Sequence, residues 1–264
     1  ERSRGLGDVY KRQDMIRADR NAEINEILRN EYYSFTVPFL TEWSAAFDKE
    51  VPPFRINEFG IIDEKRYDTD KGVLFVGKET NNWDNEDYEK GILFRGWMEG
   101  ITQHGLAGGD HISQHPNMWY NIGRWATLIC GPSTSIDEIA DMKASAISAI
   151  GMIAFTNINK VRGKKSSRNE YHQLAKSRIA GELLRREVEI IKHQLIVCCA
   201  TYDTVVKSLH DYEGQIIKMP HPGARKKKTK MLYELLRQIT PKKEDYCNCL
   251  LYTSPSPRDL STSR

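Results

Sequence analysis

Four short apolar runs, separated by helix-length segments, constrain this chain most: "GVLFVG" at 72–77, "MIAFTN" at 152–157, "LIVCCA" at 195–200 and "QIIKM" at 215–219. They are mostly continuous rather than alternating, which marks strands covered on both faces. Helical patterns stand between them, at about 86–102, at 116–130, from a cap at Ser135 or Thr134 through Ile150, at 179–193 and at 202–210. "KTKMLYELLRQI" closes the series as an amphipathic helix. Strands alternating with helices predict an α/β fold, a four-stranded parallel sheet with helices on both faces. Ahead of it, Ile16, Ile24, Ile27 and Leu28 at helical spacing predict a helical lead packed on the core. Pro38 is expected to open a second short helix through Phe47, and "VPPFRINEFG" reads as loop.

The ends of the chain read differently. "GDVYKRQ" at 7–13 and "CLLYTSP" at 249–255 are in-frame translations of the two strands of one oligonucleotide, and resemble a transposon-type sequencing adapter. Residues 1–13 and 249–264 are therefore expected to be disordered tails, flanking a lead at 14–70 and an α/β domain at 71–248. The whole chain carries 39 basic and 36 acidic residues, and without the two tails 33 of each remain. Net charge thus gives no reason to expect a polyanionic partner, and only the placement of charge can.

Cys130, Cys198, Cys199 and Cys247 form no CxxC and no paired spacing, so neither a zinc site nor a disulfide framework is expected. No apolar run reaches the roughly eighteen residues that a membrane span needs. A cytoplasmic monomer, with no membrane association and no metal or other cofactor, is the expectation.

In open α/β sheets the binding crevice lies beyond the carboxyl ends of the strands. Three polar residues follow strands in this chain: Glu79, Asn157 and His221. A carboxylate can orient and deprotonate water, a carboxamide can read the edge of a planar heterocycle, and an imidazole can stabilise an oxyanion. Together they describe hydrolysis at a base. Two of the same loops are basic and free of acids, with Arg162, Lys164, Lys165 and Arg168 in one and Arg225, Lys226, Lys227, Lys228 and Lys230 in the other. Both on one rim would make a local phosphate-binding surface.

The motifs "GKET" at 77–80, "FTNINK" at 155–160 and "HPGAR" at 221–225 resemble, in type and order, those of the uracil-DNA glycosylase superfamily. The resemblance spans about residues 72–240. It implies a DNA base-excision glycosylase that flips a nucleotide out of the helix and needs no metal. Glu79 would hold the attacking water, Asn157 would pair with the flipped pyrimidine, and His221 would hydrogen-bond the base oxygen that gains charge. Gly77 would allow close approach of the backbone, and either Trp83 or Phe94 would stack on the base. Lys160, which completes "TNINK", would join Arg162, Lys164, Lys165, Arg225, Lys226, Lys227 and Lys228 on flanking DNA phosphates. Position 80 is Thr where the family usually has Pro.

Two other functions fit the same residues: a nucleic-acid or nucleotide-binding relative without catalysis, and a hydrolase of free nucleosides or nucleotides with Glu79 as base. His104, Asp110, His111 and His115 match no zinc spacing and read as a surface loop. Trp119, Tyr120 and Trp125 read as core packing, and Cys198 and Cys199 as small buried strand residues.

Overall fold

The computed structural model describes residues 2–47, 56–81, 94–104, 116–163 and 176–239. Its centre is a five-stranded sheet. Numbered along the chain, β1 is Gly60–Ile61, β2 Val73–Gly77, β4 Ala154–Asn157, β6 Leu195–Cys199 and β7 Gln215–Met219, in the order β1-β4-β2-β6-β7. The strands β4, β2, β6 and β7 run parallel, as their apolar runs require. β1 corrects the expectation of four strands, pairing antiparallel to the outer side of β4. A second, two-stranded sheet pairs β3 (Thr80–Asn81) with β5 (Arg162–Gly163) in parallel.

Two layers of helices cover the sheet. Phe155 and Thr156 are consecutive in β4 and therefore point to opposite faces. Phe155 meets Trp119, at 5.9 Å between ring centroids, on α3 (Pro116–Cys130). With α3 on this face pack α4 (Ile136–Asp141), α5 (Ala144–Ala149) and α8 (Lys228–Ile239), and α2 (Phe94–His104) packs on α5. Thr156 meets Glu187 on α6 (Arg178–Ile191), and α6 packs with α1 (Arg2–Phe47) and α7 (Tyr202–Ser208). Every residue of β2 and β6 is buried, and each large aliphatic or Phe side chain fully removed from water contributes about 1.5–3 kcal/mol.

Local chemistry sets the helix ends. Ser135 caps α4 through a reciprocal box with Glu138, where one long helix through Ile150 was expected. The backbone leaves helical geometry at Met142 and Lys143, so α5 starts afresh and a 3-10 turn at Ile150–Met152 delivers the chain to β4. Ser177 caps α6, which ends at Lys192 in the left-handed conformation.

The lead also differs from expectation. α1 passes through Pro38 without ending, because Tyr32 on one side and Phe39 and Leu40 on the other are buried in the core and outweigh one missing amide. Its first turns include residues 2–13, expected to be disordered, since extending a formed helix costs little per residue. The 249–264 tail lies outside the described residues. α1 is pinned beside the sheet by Asn21, whose amide donates to the carbonyls of Glu64 (2.7 Å) and Tyr67 (3.0 Å). Asn25 accepts the Ile61 amide at 3.0 Å. Gly60 enters β1 at φ +145°, and a Cβ there would stand 2.6 Å from Asn25 Oδ1, so only glycine fits.

Candidate active site at the strand ends

Gly77 ends β2, Asn157 ends β4, and the parallel register sets them side by side. A Cβ on residue 77 would lie 2.2 Å from Asn157 Oδ1, so the glycine provides the space in which the carboxamide sits. Asn157 is 3 % exposed, and among the described residues its carboxamide makes no hydrogen bond. Its polar atoms are not among the fully enclosed, unpaired side-chain atoms of the described residues, which are Arg124 Nε and His193 Nε2.

The segments that follow β2 and β4 stay together past the ladder. The Ile158 amide donates to Gly77 O at 3.0 Å and the Asn159 amide to Lys78 O at 2.8 Å; β3 and β5 then pair Thr80 with Arg162 and Asn81 with Gly163. The half-buried Glu79 is carried by this double strand, and Asn159 Nδ2 points to its Oε2 at 3.4 Å. Asn159 is itself held by the Val161 amide, which donates to its Oδ1 at 2.9 Å. It was not among the expected site residues; its signal was a second asparagine two positions after the first in "TNINK".

His221 stands two residues beyond β7. The Gly223 amide donates to its Nδ1 at 3.1 Å, which assigns that nitrogen the lone pair and places the proton of the neutral ring on Nε2. Desolvation and then the positive charge of Lys78 hold its pKa below the usual histidine value, although the residue lies at the surface. The field of Lys78 links the segment after β2 to the turn after β7. β6 stands between them, so those strand ends are separated by roughly 10 Å. After β6, Thr201 turns inward and donates to Val76 O at 2.8 Å, tying the turn after β6 to β2.

Lys160 does not belong to this rim, which corrects its expected contact with phosphate. It is 1 % exposed and turned to the α1 and α6 side, where Nζ binds both oxygens of Glu187, at 2.7 and 2.9 Å, and the Thr156 hydroxyl. Tyr32 donates to the same carboxylate, and Nζ lies 4.9 Å from the centroid of the Phe59 ring. Burial lowers the lysine pKa while Glu187 opposes that shift. The ammonium ties the β4 exit to both outer helices and is inaccessible to a polyanion.

Arg225, Lys226, Lys227 and Lys228 are exposed on the turn from His221 into α8 and have no acidic partner among the described residues. The backbone of Arg162 lies in β5, beside the Glu79 segment. The side chains of Arg162 and Phe94, and the whole of Trp83, Lys164, Lys165, Asp110, His111 and His115, lie outside the described residues. Trp119 and Trp125 are core residues, as expected. Among the described residues no cluster of His, Cys, Asp or Glu could hold a metal ion, and no helix is long and apolar enough to cross a membrane.

Fold and site together define an α/β protein with a mixed five-stranded sheet and a set of polar residues at the carboxyl ends of its parallel strands. No protein-family model and no curated protein matches the chain.

Proposed function

We propose that the crevice hydrolyses the N-glycosidic bond of uracil or a related damaged base in DNA. The observation that carries this reading is the buried Asn157 carboxamide, held over Gly77 and unpaired among the described residues. A donor and an acceptor in one rigid plane suit the edge of a pyrimidine, which would supply the hydrogen bonds the fold leaves unmade.

In this mechanism the nucleotide leaves the duplex and its base enters between the ends of β4 and β7. Asn157 reads the base edge. His221, neutral and protonated at Nε2, donates to the oxygen that gains charge as the bond to the sugar breaks. Glu79, steadied by Asn159, orients a water and accepts its proton as the water adds to the sugar carbon. The exposed Arg225–Lys228 run grips the phosphates on either side. The substrate is DNA, acted on by a monomer in the cytoplasm.

The test is incubation with oligonucleotides that each carry one uracil, followed by alkaline cleavage at abasic sites. Strand scission is expected from the parent and reduced at least about a hundredfold in Glu79→Gln and in His221→Ala. Salt-sensitive binding with no base release would favour the non-catalytic binder, and release from free nucleosides alone would favour the nucleoside hydrolase. Equal scission by parent and variants would overturn the roles assigned.

A further inference from the structure

We propose that Asn121, on α3, is a positioning residue for His221 and fixes which of its ring nitrogens carries the proton. The assignment rests on the reading of His221 as the group that meets the substrate. Its geometry stands on the structure alone.

Asn121 is buried at the inner side of the His-Pro turn. Its Nδ2 donates to Pro222 O at 2.7 Å, across 101 residues of sequence, and its Oδ1 accepts from Arg124 Nη1 at 2.9 Å. Arg124 is buried as well, and its Nη2 donates to Met142 O at 2.5 Å. A guanidinium only donates, so it must face the amide oxygen, and the amide NH2 is thereby turned to Pro222. The orientation of Asn121 is set by its neighbour.

Pro222 O and Gly223 N–H belong to one planar peptide unit. Fixing the carbonyl therefore fixes the direction of the amide hydrogen on the other edge, and that hydrogen is the one donated to His221 Nδ1 at 3.1 Å. The Ala224 amide closes the turn on His221 O at 2.8 Å. Arg124, Asn121, the 222–223 peptide and the imidazole form a chain in which every hydrogen bond donates in the same direction, each strengthening the next. The last acceptor is Nδ1, which leaves Nε2–H for a ligand. None of these residues needs to touch substrate for the chain to set the ring.

Asn121→Asp tests this with little change of shape. The carboxylate keeps Arg124 and loses the donor to Pro222 O, so the 222–223 peptide is free to turn. Ring nitrogen NMR at neutral pH, with His221 assigned by comparison with His221→Gln, is expected to show a single Nε2–H tautomer in the parent and a mixture in Asn121→Asp. Base release is expected to slow about tenfold in kcat, with KM little changed. Arg124→Lys, whose single shorter-reaching ammonium lacks the two-nitrogen fork that holds Asn121 and Met142 in parallel, is expected to shift the same NMR signals in the same direction by less, and serves if Asn121→Asp does not fold. Unchanged His221 signals in a folded variant would overturn the proposal. Should the parent release no base, the function fails while the NMR result still decides the role of Asn121.

Discussion

Gly77 and Asn157 face each other across the last rung between β2 and β4, and the space where residue 77 would carry a Cβ is taken by the Asn157 carboxamide. The missing methyl therefore fixes where the carboxamide sits. Gly77→Ala must displace the Asn157 carboxamide and crowds the ring of Phe155, 3.1 Å from the same point. The expected outcome is a loss of about 1–3 kcal/mol by urea denaturation, with base release at least tenfold slower. Parental activity in Gly77→Ala would show that the carboxamide is not held there.

The Lys160–Glu187 pair should matter to stability and not to DNA binding. Lys160→Met strands a buried carboxylate and should cost about 3–5 kcal/mol, whereas Lys160→Met with Glu187→Leu should recover most of that loss. Neither should alter the salt dependence of DNA binding. Lys227→Gln, on the exposed turn, should leave stability unchanged and lower the slope of log affinity against log salt by about one. A lower slope in Lys160→Met would mean that the ammonium reaches DNA.

His193 predicts a pH dependence. Burial drives its pKa from 6.5 down to about 3, with Nδ1 3.3 Å from the Tyr67 hydroxyl and no partner for Nε2 among the described residues. Above pH 6.5 both folded and unfolded states hold it neutral. As pH falls from 6.5 towards 3, only the unfolded state gains the proton, so folding loses about 1.4 kcal/mol per pH unit from this residue. The stability difference between parent and His193→Gln should therefore fall across that window and level off on either side. A difference independent of pH would show that His193 takes up its proton as readily in the folded protein as in the unfolded one.

Lys78 lowers the pKa of His221 by its charge, secondary to desolvation. Lys78→Met should raise the midpoint of the His221 titration, followed by NMR, and move the acid limb of base release to higher pH with it. If the midpoint stays put, the two segments are not electrostatically coupled.

The parallel strands were legible because burial on both faces leaves a plain apolar signature, and their observed limits fall within two residues of those expected. β1 was not, since a two-residue strand inside "NEFGIID" is stabilised by its pairing with Phe155 and Ala154 rather than by its own composition. Pro38 misled for the same reason: a local preference yielded to the burial of Phe39 and Leu40. At the site, Gly77, Glu79, Asn157 and His221 could be marked by their place after strands. Lys160 could not be told from a surface lysine, because its partner Glu187 is far away in sequence and meets it only in the fold. Asn121 and Asn159 were invisible for a related reason, as each acts on a neighbour that only the folded chain brings near.

The central claim is that one rigid carboxamide reads a pyrimidine while an acid and an imidazole act on the bond behind it. The most direct measurement is the single-turnover rate of uracil release from an oligonucleotide carrying one uracil, for the parent and for Asn157→Ala. Release by the parent and a rate at least about a hundredfold lower in a folded Asn157→Ala is the result predicted. No release by the parent, or equal rates from both proteins, would contradict it.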